Sequence, residues 1–217
     1  MFDLDGTLLD TAPGLTRALN RALGDVGRSP LTLTDVKPMI GDGVAALIER
    51  AAQATGGPLP SPAFADIVDR YRAFMRETPT PPAFAGARAM LAAFNEKGVK
   101  LAVCTNKPEA TAHEVLDRTR LIPFLDVVVG ADMVPLKPDP TMINRALTVL
   151  GAAPNEAAMI GDSEVDVATA RAAHLPIVLL GHGYVRGKLA DAGADAISDG
   201  FPALPSALES LGFLVSG

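Results

Sequence analysis

The chain has 217 residues, 48% of them hydrophobic and 20% charged, which suits a well-buried globular core of one domain plus an insert. A formal charge of −6, a pI near 5.0 and no Lys/Arg cluster argue against a nucleic-acid surface, so any anionic substrate needs a local positive site. No apolar run approaches 18 residues and no charged segment leads into one, and the lone cysteine, Cys104, sits in an apolar run. The expectation is therefore a cytoplasmic chain without membrane partners, in a reducing compartment.

The first ten residues, Met-Phe-Asp-Leu-Asp-Gly-Thr-Leu-Leu-Asp, read as a short strand stopped by a turn at Gly6. Alternation along an extended backbone sends Asp3 and Asp5 to the same side, at the strand's end. Carboxylates so placed can bind a metal, and one of them can act as a nucleophile toward phosphorus. Residues 13 to 78 change character. Leu15, Leu19 and Leu23, then Val44, Leu47, Ile48 and Ala51, then Ile67, Tyr71 and Phe74 recur at helical spacing with no convincing strand. They predict a helical insert of three or more helices, closed by the stiff run Thr78-Pro79-Thr80-Pro81-Pro82. Both crossings of the insert then pass near Asp3, so it can act as a lid.

From residue 83 helix-period and apolar segments alternate, the pattern of βαβ units on a parallel sheet. Strands are predicted at 100–105, 126–130, 157–161, 177–181 and 194–198, and helices at 84–97, 108–119, 140–150, 164–174 and 203–211. The expected fold class is α/β, a Rossmann-like parallel-sheet core of residues 1–12 and 79–217 with the helical domain 13–78 inserted.

Polar residues recur at the carboxyl ends of these strands, where open parallel sheets bind ligands. Thr105 and Asn106 precede a helix that starts at Pro108, and a hydroxyl, an amide and free backbone N–H groups there can cradle a phosphate. Lys137 lies in Leu136-Lys137-Pro138-Asp139-Pro140, a setting that restricts it and suits a fixed point charge. Asp162 ends the next strand and Asp166 follows four residues later, on the first turn of a helix. Each feature alone has an ordinary explanation as a helix cap or a surface charge. Their joint placement calls for a hard cation with oxygen ligands, Mg²⁺, because like charges about 4 Å apart repel by roughly 4 kcal/mol at an effective dielectric of 20.

These four segments, Asp3-Leu4-Asp5-Gly6-Thr7, Thr105-Asn106, Lys137 and Gly161-Asp162-Ser163-Glu164-Val165-Asp166, resemble in order the four motifs of the haloacid dehalogenase superfamily of aspartate-dependent phosphatases. The resemblance implies Asp3 as nucleophile and Asp5 as general acid, then base. It implies Thr105, Asn106 and Lys137 as phosphate binders, and Mg²⁺ on Asp3, Asp162 and the backbone oxygen of Asp5, with Asp166 supporting from behind. The insert then corresponds to the superfamily's type-one cap. Asp5 favours phosphate chemistry over dehalogenation, since an alkoxide leaving phosphorus needs a proton donor and a halide does not.

Narrower matches at Ile40-Gly41-Asp42-Gly43, Cys104 to Pro108, Leu136 to Pro140 and Gly161 to Ala170 resemble the phosphoglycolate phosphatases of that superfamily. They imply a small phosphorylated metabolite, 2-phosphoglycolate, as substrate, handled by a monomer or homodimer. Gly41, Asp42 and Gly43 are then specificity residues of the cap, with Lys37, Arg50 or Lys107 as partners for a substrate carboxylate. A phosphomutase or pyrophosphatase on the same fold, a receiver domain phosphorylated on aspartate, and a non-catalytic binding protein are the alternatives. Only Met1 and Phe2 precede Asp3, fewer than the superfamily usually has, so either the strand is short or the natural chain starts upstream. Gly181-His182-Gly183-Tyr184 falls where the superfamily has a substrate-side loop, though its default reading is an ordinary turn; His113 and His174 read as helix-surface residues, and no histidine is given a role.

Overall fold

The computed structural model describes residues 1–213. Its strands are shorter than the sequence predicts, and each lies inside the predicted span: β1 Ala102–Cys104, β2 Val127–Val129, β3 Met159–Gly161, β4 Ile177–Leu180 and β5 Ala196–Ser198. All neighbouring pairs run parallel, β1 with β2 and β3 with β4 and then β5. The N-terminal segment joins the two halves. Phe2 bridges both Val103 and Ile160, its N–H donates to Ala102 O at 2.8 Å, and the Asp3 N–H donates to Ile160 O at 2.9 Å. The strand is minimal, yet both its edges are hydrogen-bonded, which fixes Asp3 between the two halves of the sheet.

Helices cover both faces, as a buried parallel sheet requires. On one side α5 (Ala87–Glu96), α6 (Glu109–Arg118) and α9 (Leu204–Ser210) bring Leu91, Leu116 and Leu204 against Phe2, Val103 and Val178. On the other, α7 (Thr141–Leu150) and α8 (Glu164–Ala172) bring Ile143, Ala146 and Ala170 against Met1, Ala102 and Met159. Cys104 is buried in this second cluster, and burial pushes its thiol up to about 12.

The segment between the first strand and α5 is helical, as its periodicity predicts: α1 Ala12–Gly24, α2 Leu33–Val36, α3 Gly43–Ala54 and α4 Ser61–Arg76. Leu15, Leu19 and Leu23 of α1 face Ile48 of α3 and Ile67 and Tyr71 of α4 in a separate apolar cluster. The chain enters and leaves this insert side by side. Leu9 bridges Ala83 antiparallel, Asp10 N–H donates to Pro82 O at 3.0 Å, and Phe84 N–H donates to Leu8 O at 3.0 Å. Among the described residues no helix is long and apolar enough to cross a membrane.

Candidate active site

The carboxyl ends of the sheet strands and the inner side of the insert enclose a cavity of about 290 Å³. Asp3, Asp5, Thr105, Asn106 and Lys107 line it from the sheet side, and Gly41 and Gly43 from the insert. Asp3 leaves the central strand at its very end, and its neighbours are fixed by secondary structure. β3 stops at Gly161, so Asp162 follows at the sheet edge, and Ser163 then caps α8. In that cap the Ser163 side chain accepts the Asp166 N–H, while Asp166 Oδ2 accepts the Ser163 and Asp162 N–H groups and the Ser163 hydroxyl at 2.7 Å. Asp166 is fully buried, and its other oxygen takes a hydrogen bond from Lys137 Nζ at 2.7 Å.

Lys137 is itself buried and stands 2.8 Å from Asp3 Oδ1, between two acids. Burial works against its charge, but Asp166 and Asp3 outweigh it and hold the ammonium above its usual range. Its backbone is set by Asn106. Asn106 Oδ1 accepts the Lys137 N–H at 2.7 Å, while Nδ2 donates to Lys137 O at 3.2 Å and to Gly41 O at 2.9 Å. The Asn106 amide, expected to contact phosphate, is thus taken up by a brace between the Lys137 loop and the insert. Thr105 Oγ1 accepts the Lys107 N–H at 3.2 Å, and its hydroxyl hydrogen stays free for another acceptor.

Asp3, Asp162 and Asp166 offer oxygens that lie within 4.8 Å of one another, all three buried. The side-chain cluster therefore contains Asp166, and the carboxylate of Asp5, expected beside Asp3, lies outside it. Asp5 Oδ2 instead pairs with Lys107 Nζ at 2.9 Å. Burial first, then the nearby acids, push Asp3 up to about 7 against the pull of Lys137. Burial, Asp166 and Asp3 likewise raise Asp162 well above the carboxylate range. Three acids facing one lysine leave net negative charge in a dry place, and Asp3 Oδ1 receives no well-aligned hydrogen bond. An all-oxygen donor set with surplus negative charge fits Mg²⁺. Asp3, Asp162 and Asp166 are the carboxylates that could hold it, and of these Asp166 already gives one oxygen to the Lys137 ammonium and the other to three hydrogen bonds at the start of α8.

Residues that the sequence reading left without a role complete the site. Thr7 Oγ1 donates to Asp162 Oδ1 at 2.7 Å, and the Tyr184 N–H donates to Asp162 Oδ2 at 2.8 Å. Gly6, at φ +88°, and Gly183 pass so close to Asp162 that a Cβ on either would meet its carboxyl carbon at 2.7 Å. The turn at 181–184 is therefore also a wall of the site. The Tyr184 hydroxyl donates to Asp10 Oδ1 at 2.7 Å and accepts the Ala12 N–H at 3.0 Å, tying this loop to the start of the insert. His182 stacks on Phe84 at 4.0 Å, with Nε2 3.1 Å from Thr7 O. His113 is exposed on α6, as expected, whereas His174 is exposed in the turn that follows α8 rather than on the helix. A Gly-x-Gly-aromatic run at a strand end was the only local signal for this wall.

The expected specificity residues separate. Gly41, Gly43 and Lys107 line the cavity. Asp42 forms ion pairs with Arg50 and with Arg186, Arg50 also donates to Met39 O at 2.8 Å, and Lys37 lies 5.6 Å from the Tyr184 ring centre. Asp42 and Arg50 are thus bound to each other rather than free for a ligand.

Residues 1–180 match the sequence model of the haloacid dehalogenase-like hydrolases. The chain belongs to that family. It is 40% identical over 211 residues to a phosphoglycolate phosphatase of Rhodospirillum rubrum, covering 94% of this chain and 88% of the relative. Over 215 residues it is 40% identical to one of Caulobacter vibrioides, covering 97% and 90%. A crystal structure of a predicted phosphoglycolate phosphatase from Haemophilus somnus 129PT superposes with a TM-score of 0.89 at 27% identity, over 94% of this chain and 95% of the other. A hydrolase from Pseudomonas syringae gives 0.79 at 27% identity over 97% of each chain. The family hydrolase is thus an enzyme of the phosphatase kind, which removes the receiver-domain and binding-protein alternatives.

Proposed function

We propose that the chain is a Mg²⁺-dependent phosphomonoesterase that hydrolyses 2-phosphoglycolate through an aspartyl-phosphate on Asp3. The observation that carries this reading is Lys137: a buried ammonium 2.8 Å from Asp3 and 2.7 Å from Asp166, beside a cavity that Asp5 and Thr105 share. A lysine held this firmly between acids has a reason to exist if an anion is delivered next to it. The relatives at 40% identity named phosphoglycolate phosphatase supply the choice of substrate.

In this mechanism the substrate phosphate enters the cavity with oxygens toward Lys137 and the free Thr105 hydroxyl, both held in place beforehand by Asp166 and by the Lys107 N–H. Asp3, fixed by the hydrogen bonds of the central strand, attacks phosphorus in line. Asp5 gives its proton to the leaving glycolate oxygen, then takes a proton from the water that hydrolyses the aspartyl-phosphate. Mg²⁺, held by Asp3, Asp162 and the carbonyl of Asp5, would supply neutralisation of the charge shared by the acids and the phosphate. The helices α1 to α4 act as a cap over residues 13–78, excluding bulk water from the cavity. Asp166, Thr7 and Tyr184 support the acids from behind and do not touch the substrate.

Phosphate release measured with and without EDTA, over a panel of 2-phosphoglycolate, pyrophosphate, sugar phosphates and nucleoside monophosphates, tests the proposal. Mg²⁺-dependent turnover with the highest kcat/KM on 2-phosphoglycolate is expected. Turnover that persists in EDTA, or that favours another member of the panel, sinks it.

A further inference from the structure

Two lysines pair with the acids of the site, with different duties. Lys137 is shared between Asp3 and Asp166, in the interior. Lys107 stands just before α6 with its Nζ 2.9 Å from Asp5 Oδ2, and both side chains keep some contact with solvent, 11% and 16%. Both line the cavity. The other oxygen of Asp5 is buried and receives no hydrogen bond. Among the described residues the Lys107 ammonium is thus the polar partner that holds the Asp5 carboxylate, and its partly solvated contact is the one that can be exchanged.

The remaining cations near the cavity are placed less well for a small substrate. Arg50 and Arg186 are bound to Asp42, and Lys37 lies over Tyr184. Arg118 is tied to Thr80 Oγ1 at 2.9 Å, at the stiff crossing. Arg72 and Arg76 also line the cavity, as Arg118 does, but from α4 on the insert side, where they are exposed, and none of the three is paired with Asp5. In 2-phosphoglycolate the carboxylate carbon is two bonds from the ester oxygen, the atom that Asp5 must protonate. An anion that close to the reacting bond falls within reach of the cation already beside Asp5.

We infer that Lys107 has two alternative partners, the carboxylate of Asp5 and an anionic group that the substrate carries next to its ester oxygen. When a substrate carboxylate takes the ammonium, Asp5 Oδ2 is released to turn toward the ester oxygen. A substrate with no second charge leaves Lys107 on Asp5, and the proton donor stays turned away. Lys107 is thus a positioning residue that makes recognition of the second anion a condition for placing the acid. This inference rests on the proposed reading of the site, and it adds that the enzyme selects at the chemical step as well as in binding.

The test compares 2-phosphoglycolate with ethyl phosphate, which has the same carbon count and no carboxylate, in wild type, Lys107→Gln and Lys107→Arg. Losing one partner of a desolvated charge pair is expected to lower kcat/KM for 2-phosphoglycolate by about 100-fold in Lys107→Gln. The same variant should raise kcat on ethyl phosphate, because Asp5 is no longer held, so the selectivity ratio collapses from both sides. Lys107→Arg restores the ratio to within about tenfold of wild type, since it keeps the charge but not the point geometry. A wild type that shows no preference for 2-phosphoglycolate overturns the substrate reading and this inference with it. A wild type that has the preference and passes it undiminished to Lys107→Gln overturns the exchange alone. Lys107→Met, which keeps the apolar stem, provides the same readout if thermal melting shows that the glutamine variant does not fold.

Discussion

The ammonium of Lys137 donates to Asp166 Oδ1 at 2.7 Å, and neither side chain has appreciable contact with water. The other oxygen of Asp166 closes the capping box of α8, so one carboxylate anchors both the cation of the site and the helix that follows Asp162. An ion pair in the interior repays its desolvation only while both partners are present.

Asp166→Ala is therefore expected to cost about 3–5 kcal/mol of folding stability, since it strands Lys137 beside Asp3 and uncaps α8 at the same time. Urea denaturation followed by circular dichroism gives the number. A loss below about 1 kcal/mol sits at the level of an exposed ion pair and contradicts the buried anchor.

The surplus negative charge makes metal-free stability depend on pH in a defined direction. Asp3 is raised to about 7 in the folded state and Asp162 is raised as well, whereas an unfolded aspartate titrates near 4. Between those values the native state holds more protons than the unfolded one, so stability in EDTA falls as pH rises from 5 to 8. His182, lowered mainly by burial, works in the opposite sense as pH falls below its unfolded value, but it is only partly buried. Asp3→Asn removes the acid's contribution and leaves that of His182, so its melting temperature should depend less steeply on pH. At pH 8 in EDTA it should melt about 3 °C or more above wild type while losing turnover. Added Mg²⁺ should flatten the wild-type curve. Parallel melting curves for the two proteins from pH 5 to 8 contradict the assignment of the slope to Asp3.

How much of this was legible beforehand follows the range of the interactions. The apolar run at 127–129 and the stretches around Cys104 and Ile160 announce strands covered on both faces, and the structure holds them in one parallel sheet. The convergence of Asp3, Lys137, Asp162 and Asp166 was legible too, because strand ends in a parallel sheet all point to one edge. The strands' actual length was not, since flanking residues of good strand propensity lie outside the paired registers. Asn106 and Asp42 show the same difficulty within the site. Their residue types suit ligand contact, but their partners, Gly41 O and Lys137 O for one and Arg50 and Arg186 for the other, are set by how the insert meets the sheet. Tyr184 carries only the weak signal of a Gly-x-Gly-aromatic run, and the passage of its loop over Asp162 is what gives it a place.

Tyr184 supplies a third prediction. Its hydroxyl is the acceptor for the Ala12 N–H at the first residue of α1, and both are buried. Tyr184→Phe leaves that N–H without its partner and frees Asp10, at an expected cost of about 1–3 kcal/mol. Asp162 keeps its contact with the backbone of residue 184, so Mg²⁺ affinity should change less than twofold. Isothermal titration with Mg²⁺ alongside thermal melting separates the two effects. A large loss of metal affinity in a variant that melts normally would mean that the ring, and not the backbone, positions Asp162.

Arg186 provides the last prediction, because it is the side chain that joins the sheet to the loop of the insert bearing Gly41. Its guanidinium donates from Nε to Pro38 O at 2.8 Å and forms an ion pair with Asp42, while its own N–H is held by Glu164 Oε1 at 3.0 Å. Arg50 also pairs with Asp42, but both of its contacts stay within the insert. The two arginines therefore differ in what they connect. Arg186 is partly exposed, so its removal costs little folding stability, less than about 1 kcal/mol. What Arg186→Gln loses is a link that holds the insert over the cavity. KM should rise about three- to tenfold with kcat changed less, and added salt, which screens such pairs, should raise the wild-type KM toward the variant's value. Arg50→Gln should leave KM within about twofold and act instead on the insert's own stability. Equal KM increases in the two variants would remove the distinction, and with it the reading of Arg186 as the latch between insert and sheet.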